Sequence, residues 1–161
     1  MVSVRFFGPP VLVAFLLAGA IPGWIAGCGP RACLLSVTGL AGMAVGLLGA
    51  LICVTAATRF VRFGETALHP FATPRRLLLQ GPYGRARNPF YLGILMMVAG
   101  EALVWRSAAL GMYGVGLAIV MHLFVVGVEE PRLRRAFGDA YDLYRARVPR
   151  WLPVRARSAS R

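Results

Sequence analysis

Two polar segments hold the residues whose types and spacing suit chemistry: GPYGRARNPFYLG at 81–93 and EEPRLRRAFGDAYDLYRARVPRWLP at 129–153. In the first, Asn88 is a favoured helix N-cap residue and Pro89 suits the first helical position. A helix starting there has unpaired backbone N–H groups at its positive dipole end. Arg87 adds a full charge beside that end, and Tyr91 falls on the same helix face as Asn88. Such a helix start either seats a carboxylate or phosphate, or is a plain cap with an arginine for lipid headgroups. Gly81 and Pro82 read as a turn leading into it.

The second segment has the opposite preference. Glu129 and Glu130 close an apolar run, where the last helix carbonyls already favour a cation. Two adjacent carboxylates at membrane depth are costly unless solvated or paired, so they either meet a cationic group or are neutralised by Arg87, Arg132 or Arg134. His122 stands seven residues before Glu129, on the same face of an unbroken helix and roughly 10 Å deeper. It is either a hydrogen-bonded structural histidine or a lining residue of the same cavity. Glu101 lies toward the other end and is expected to pair with Arg106 or Arg31. An anion seat and a cation seat at adjacent helix ends together suit a zwitterionic, amino-acid-like ligand.

The elements that must position these residues are membrane helices. Hydrophobic residues make up 58% of the 161, and mean hydropathy is +0.66, which places the chain in the bilayer. The apolar runs cover about 9–26, 34–57, 89–105 and 107–128. The first is opened by Pro9 and Pro10 and kinked by Pro22. Arg5 before an apolar stretch resembles a secretory signal, but the spans that follow and the lack of a clear small-residue cleavage site argue for retention. Only a tight turn at Arg106 separates the last two runs, so those helices must be antiparallel neighbours. Gly42 and Gly46 form a small-xxx-small pair suited to close helix contact. Residues 1–161 are expected to form one domain, an all-α polytopic membrane bundle of about four transmembrane helices. After Pro131, Leu133, Phe137, Tyr141, Tyr144 and Val148 recur at three- and four-residue spacing, which predicts a C-terminal amphipathic interfacial helix ended by Pro149. It either anchors the tail to anionic lipid or folds over the helix ends, with Tyr141 or Tyr144 offering an aromatic face to a cation.

Charge orients the bundle. The net charge is +12 and all 18 basic residues are arginines, most of them beside apolar spans. A membrane surface accounts for them, and no nucleic-acid partner is expected. Arginines crowd the loop 58–88 and the tail 129–161, whereas the opposite connections hold only Arg31 and Arg106. By the positive-inside rule the loop, the tail and the N-terminus face the cytoplasm, and a bacterial inner membrane is the expected location. Cys28, Cys33 and Cys53 lack CxxC spacing and read as packing residues, with no metal site expected.

The GPY element (Gly81–Tyr83), the RNPxYxG element (Arg87–Gly93) and the EEPxLxxxFGxxYxxY element (Glu129–Tyr144) resemble the integral membrane methyltransferases that include isoprenylcysteine carboxyl methyltransferase and phosphatidylethanolamine N-methyltransferase. The resemblance covers roughly residues 60–153, and the first two spans carry little of it. It implies S-adenosylmethionine as methyl donor, bound from the cytosol, and a lipid or other hydrophobic methyl acceptor. It further implies cosubstrate-binding roles for Gly81, Tyr83, Arg87, Asn88, Pro89, Tyr91, Gly93, Glu129, Glu130 and Tyr141. If the acceptor is an amine, Glu129 or His122 can take its proton. Asn88 stands where many relatives have His, which removes a titratable group from that wall. A noncatalytic protein that recruits anionic lipid or a partner through its arginine-rich face is the alternative reading.

Overall fold

The computed structural model describes residues 16–27, 35–63 and 77–152; the start of the first run, Cys28, Arg31, Cys33 and much of the arginine-rich loop lie outside them. Helices are the regular secondary structure of the described residues, with no strand among them. A π-helical turn, Leu16–Ala20, leads into α1, Ile21–Gly27. α2 is Val37–Phe63, α3 Pro89–Val104 and α4 Ala108–Phe124. A second π-helical turn, Val125–Glu129, carries α4 into α5, Glu130–Phe137, and α6 is Asp139–Arg147. Two stretches, Val37–Phe63 and Ala108–Phe137, are long and apolar enough to cross a membrane, while Leu16–Ala26 and Pro89–Val104 are shorter apolar helices.

The kink in the first run sits at Ala18, whose backbone leaves helical geometry. Pro22 explains it, because proline lacks the N–H that would bond the Ala18 carbonyl and its ring crowds that carbonyl. The hydroxyl of Tyr113 on α4 donates to the neighbouring Leu17 carbonyl at 3.0 Å, so the disturbed turn is tied to α4.

Ser36 opens α2 by accepting a hydrogen bond from the Gly39 N–H at 3.0 Å, and the helix runs on past the expected end at residue 57 to Phe63. α3 lies antiparallel against it at glycine-to-glycine distance. A methyl at Gly49 would stand 2.6 Å from the Gly93 carbonyl oxygen, and one at Gly42 2.6 Å from that of Gly100. The two pairs recur at the same seven-residue spacing on both helices. Gly46 contributes its backbone beside Gly100, but the space over its own Cα is open, so Gly42 and Gly49 line the contact. Cys53 is buried in this seam and its thiol donates to the Phe90 carbonyl at 3.2 Å.

α3 ends in a left-handed turn. Arg106 takes a positive φ of 47°, its N–H donates to the Leu103 carbonyl, and the Ser107 N–H donates to that of Ala102. These bonds form the Schellman pattern, usually built on glycine. Arg106 Nε also donates to Thr38 Oγ1 at 3.0 Å, joining the turn to the start of α2 in place of the expected Glu101 pairing; among the described residues Glu101 makes no ion pair. Ser107 then caps α4 by accepting from the Leu110 N–H. The tight turn expected between the last two runs is this one.

At the other end α3 starts level with Cys53, whereas α2 continues ten residues further to Phe63, about 15 Å of helix. The start of α3 is therefore recessed. Over that recess fold the 3₁₀ turn Gly81–Gly84, α5, α6 and the non-helical residues after Arg147.

Candidate active site

Pro131 does not break α4. The Glu130 N–H bonds back five residues, to the Val125 carbonyl, and this wider turn relieves the crowding that a proline ring imposes on the preceding turn. The same widening means that seven residues no longer return to one face, and His122 and Glu129 take different partners. Glu129 Oε1 accepts a hydrogen bond from the Tyr91 hydroxyl on α3 at 2.5 Å. His122 is exposed, and its Nδ1 accepts from the Trp151 indole N–H at 3.1 Å.

Glu130 is buried and lies between two guanidinium groups. Arg150 approaches in bidentate fashion, with Nε at 2.6 Å from Oε1 and Nη2 at 3.0 Å from Oε2, and Arg87 Nη1 stands 3.0 Å from Oε1. Of the candidate neutralisers of the acidic pair, Arg87 is the one seen at Glu130. Arg87 Nη1 also donates to the Tyr141 hydroxyl at 3.5 Å. Its side chain is nine-tenths buried, and Nε has no hydrogen-bond partner. A buried, charged donor left unpaired is costly, so Arg87 retains unused capacity for an anion.

Asn88 occupies the N-cap position of α3, but its side chain makes no capping hydrogen bond. Its Nδ2 donates instead to the Arg150 carbonyl at 3.2 Å. The Arg150 carbonyl also accepts from the Asn88 N–H at 3.3 Å, and the Pro149 carbonyl accepts from the Arg87 N–H at 2.9 Å. Residues 149 and 150 thus form a strap pinned along the approach to α3, while the first turn of that helix is left without a side-chain cap.

The expected single amphipathic helix after Pro131 is two helices. Gly138 divides them with φ 53° and ψ −131°, a conformation essentially restricted to glycine. The break turns α6 inward: Tyr141, Tyr144 and Val148 are buried against Leu77, Leu133 and Phe137. The Tyr144 hydroxyl donates to the Tyr83 carbonyl at 2.6 Å, and the Tyr83 hydroxyl donates to the Ala56 carbonyl on α2 at 3.5 Å. Burial, then the Glu130 charge, holds the Tyr141 phenol above the usual tyrosine range, and burial does the same for Tyr83 and Tyr144. All three stay neutral hydrogen-bonding groups.

Of the residues expected at a site, Arg87 contacts Glu130 and Tyr141, and Tyr91 contacts Glu129, at the recessed start of α3, where Asn88 and Pro89 also lie. Gly93 stands one turn further along, packed on Gly49 and Cys53. Tyr83 braces α6 against α2. Gly81, at φ 65°, lies against Arg59, beside a groove of about 250 Å³ lined by Arg59, Phe63 and Leu77–Gln80. Sequence reasoning gave Arg150 only a topological role and Trp151 none. Both sit in the second polar segment directly after Pro149, but no periodicity connects residue 150 with residues 88 and 130.

Helices of membrane-spanning length, with a charged and largely buried cluster recessed among their ends, define an integral membrane protein with a polar site at the helix termini. The chain belongs to the phospholipid methyltransferase family, whose pattern matches residues 37–140. The match begins at the first residue of α2, so the likeness includes the glycine seam, and it stops short of Tyr141 and the strap. No curated protein and no solved structure gives a significant match to the chain.

Proposed function

We propose that the chain transfers a methyl group from S-adenosylmethionine to a lipid or other hydrophobic acceptor at the cytoplasmic face of a membrane. The observation that carries this reading is the buried Arg87, with Nε unpartnered, beside an uncapped helix start whose Tyr91 bonds Glu129. That donor set fits an amino-acid end: Arg87 and the first N–H groups of α3 would hold its carboxylate, and Glu129 would face its ammonium or ribose hydroxyl groups. Glu130, engaged by Arg87 and Arg150, would aim the Arg87 guanidinium. Four spans, with Leu16–Ala26 and α3 as the two shorter ones, and the termini on the cytoplasmic side belong to the same proposal. So does a single domain of 161 residues.

S-adenosylmethionine, when bound, would supply an electrophilic sulfonium methyl open to in-line attack by an acceptor lone pair, the C–S bond breaking to release a neutral thioether. The protein's own work is alignment and exclusion of water. α6 and the strap at 149–150 cover the recess, and the buried Tyr83, Tyr141 and Tyr144 hold that cover in place. For an amine acceptor, the Glu129 carboxylate would take the departing proton, with the Tyr91 hydroxyl fixing its orientation. His122, bonded to Trp151, is assigned no proton transfer.

Purified protein in detergent is expected to bind S-adenosylhomocysteine saturably, and Arg87→Ala to weaken that binding on the order of tenfold or more. Absence of saturable binding by folded wild-type protein would sink the reading. A mass-spectrometric search of membranes from expressing and non-expressing cells for lipids that gain one methyl group would identify the acceptor.

A further inference from the structure

His122 is a polar side chain exposed on an apolar helix, among the exposed Ile119, Leu123 and Val126. A polar group in that setting is costly unless it has a partner. One ring nitrogen is accounted for: Nδ1 accepts from Trp151 Nε1 at 3.1 Å, with the ring centroids 6.2 Å apart. A neutral imidazole that accepts at Nδ1 carries its proton on Nε2. The group left over is therefore a donor.

Trp151 is held by the strap, since the preceding Arg150 chelates Glu130 through its side chain and accepts from Asn88 through its carbonyl. The tautomer and orientation of His122 are thus coupled to the placement of the strap. Along the helix His122 lies seven residues before Glu129, about 10 Å toward the hydrocarbon. In a glycerolipid the ester carbonyls lie in that same direction from the headgroup. We propose that His122 presents Nε2–H to an ester oxygen of a glycerolipid acceptor, with Trp151 as the positioning residue that fixes the donor. This rests on the reading that the acceptor is a lipid, and it makes His122 a determinant of lipid linkage rather than a base.

The test compares binding of two phosphatidylethanolamines with matched chains, one ester-linked and one ether-linked, to full-length protein by native mass spectrometry. The ether retains the headgroup and apolar volume but lacks the carbonyl. Wild type is expected to prefer the ester about five- to tenfold, the size of one hydrogen bond. His122→Phe should remove that preference, His122→Gln should keep it through its amide N–H, and Trp151→Phe should reduce it. Wild type that binds neither lipid or both alike overturns the assignment, as does equal weakening of both lipids in His122→Phe. If His122→Phe does not fold, an ester preference undiminished in Trp151→Phe overturns the positioning role. Ester preference without methylation of either lipid in the presence of S-adenosylmethionine would remove the acceptor reading and leave His122 in place. Methylation without ester preference would do the reverse.

Discussion

At the scale of single residues, the two adjacent glutamates differ in what surrounds them. Glu129 receives one phenolic hydrogen bond, whereas Glu130 lies in contact with two arginines, Arg87 and Arg150. Removing one partner of a buried ion pair leaves the other charge uncompensated. Glu130→Gln is therefore expected to lower stability by about 2 kcal/mol, below the usual range of about 3–5 because Arg150 is partly exposed, and to weaken S-adenosylhomocysteine binding by releasing Arg87. Arg134→Ala breaks the exposed contact with Asp142 and should cost less than about 1 kcal/mol with no effect on binding. Denaturation curves of the two variants check the contrast; equal losses would mean that the Glu130 cluster is no more than a surface pair. The acidic pair and Arg87 were legible as opposite charges flanking helix ends. Their unequal roles were not, because only the arrival of Arg150 distinguishes them.

Among the elements, the α2–α3 seam sets the depth of the site. Gly49 and Gly93 bring the two backbones into contact, which fixes the start of α3 beside Cys53 rather than beside Phe63. Gly93→Ala would push a methyl to 2.6 Å from the Gly49 carbonyl oxygen, and a loss of about 2 kcal/mol is expected as the helices part. Gly46→Ala meets open space and should be neutral or gain up to about 1 kcal/mol from helix propensity. Thermal melts in one detergent separate the two outcomes. Small residues repeated along an apolar run announced close packing, but only the partner helix selects which of Gly42, Gly46 and Gly49 face it. The tail shows a similar division. Its three- and four-residue apolar spacing was visible, whereas the left-handed Gly138 broke it in two and turned Tyr141 and Tyr144 inward.

For the whole molecule, the proposed arrangement has to accommodate helices of unequal length. α3 has 16 residues, about 24 Å, against ~30 Å of hydrocarbon. It reaches the Arg106 end of α2 but stops short of the arginine-rich end. The proposed topology places Arg62 and Ser107 on opposite sides of the membrane. In a background with Cys28, Cys33 and Cys53 replaced by Ala, Arg62→Cys should react with an impermeant maleimide only from the cytoplasmic side. Ser107→Cys should react only from the other side, or only after unfolding because Ser107 is largely buried. Reaction of both from one side would overturn the topology.

The sequence by itself determined that the chain is helical and apolar enough for a membrane, where α3 starts, and which two polar segments meet at one end of the bundle. Those properties follow from local causes: hydropathy summed along a helix, a proline at a first turn, and charges beside helix termini. Only the tertiary structure decided that Glu130 is clamped, that Arg87 keeps an unused donor, that a π-helical turn separates His122 from Glu129, and that a strap at residues 149–150, with Trp151 after it, joins three elements. All but the π-helical turn, which is local, depend on contacts between residues 20 or more positions apart, such as Arg150 with Glu130 and Trp151 with His122. No helical or strand period relates such positions, so packing alone brings them together.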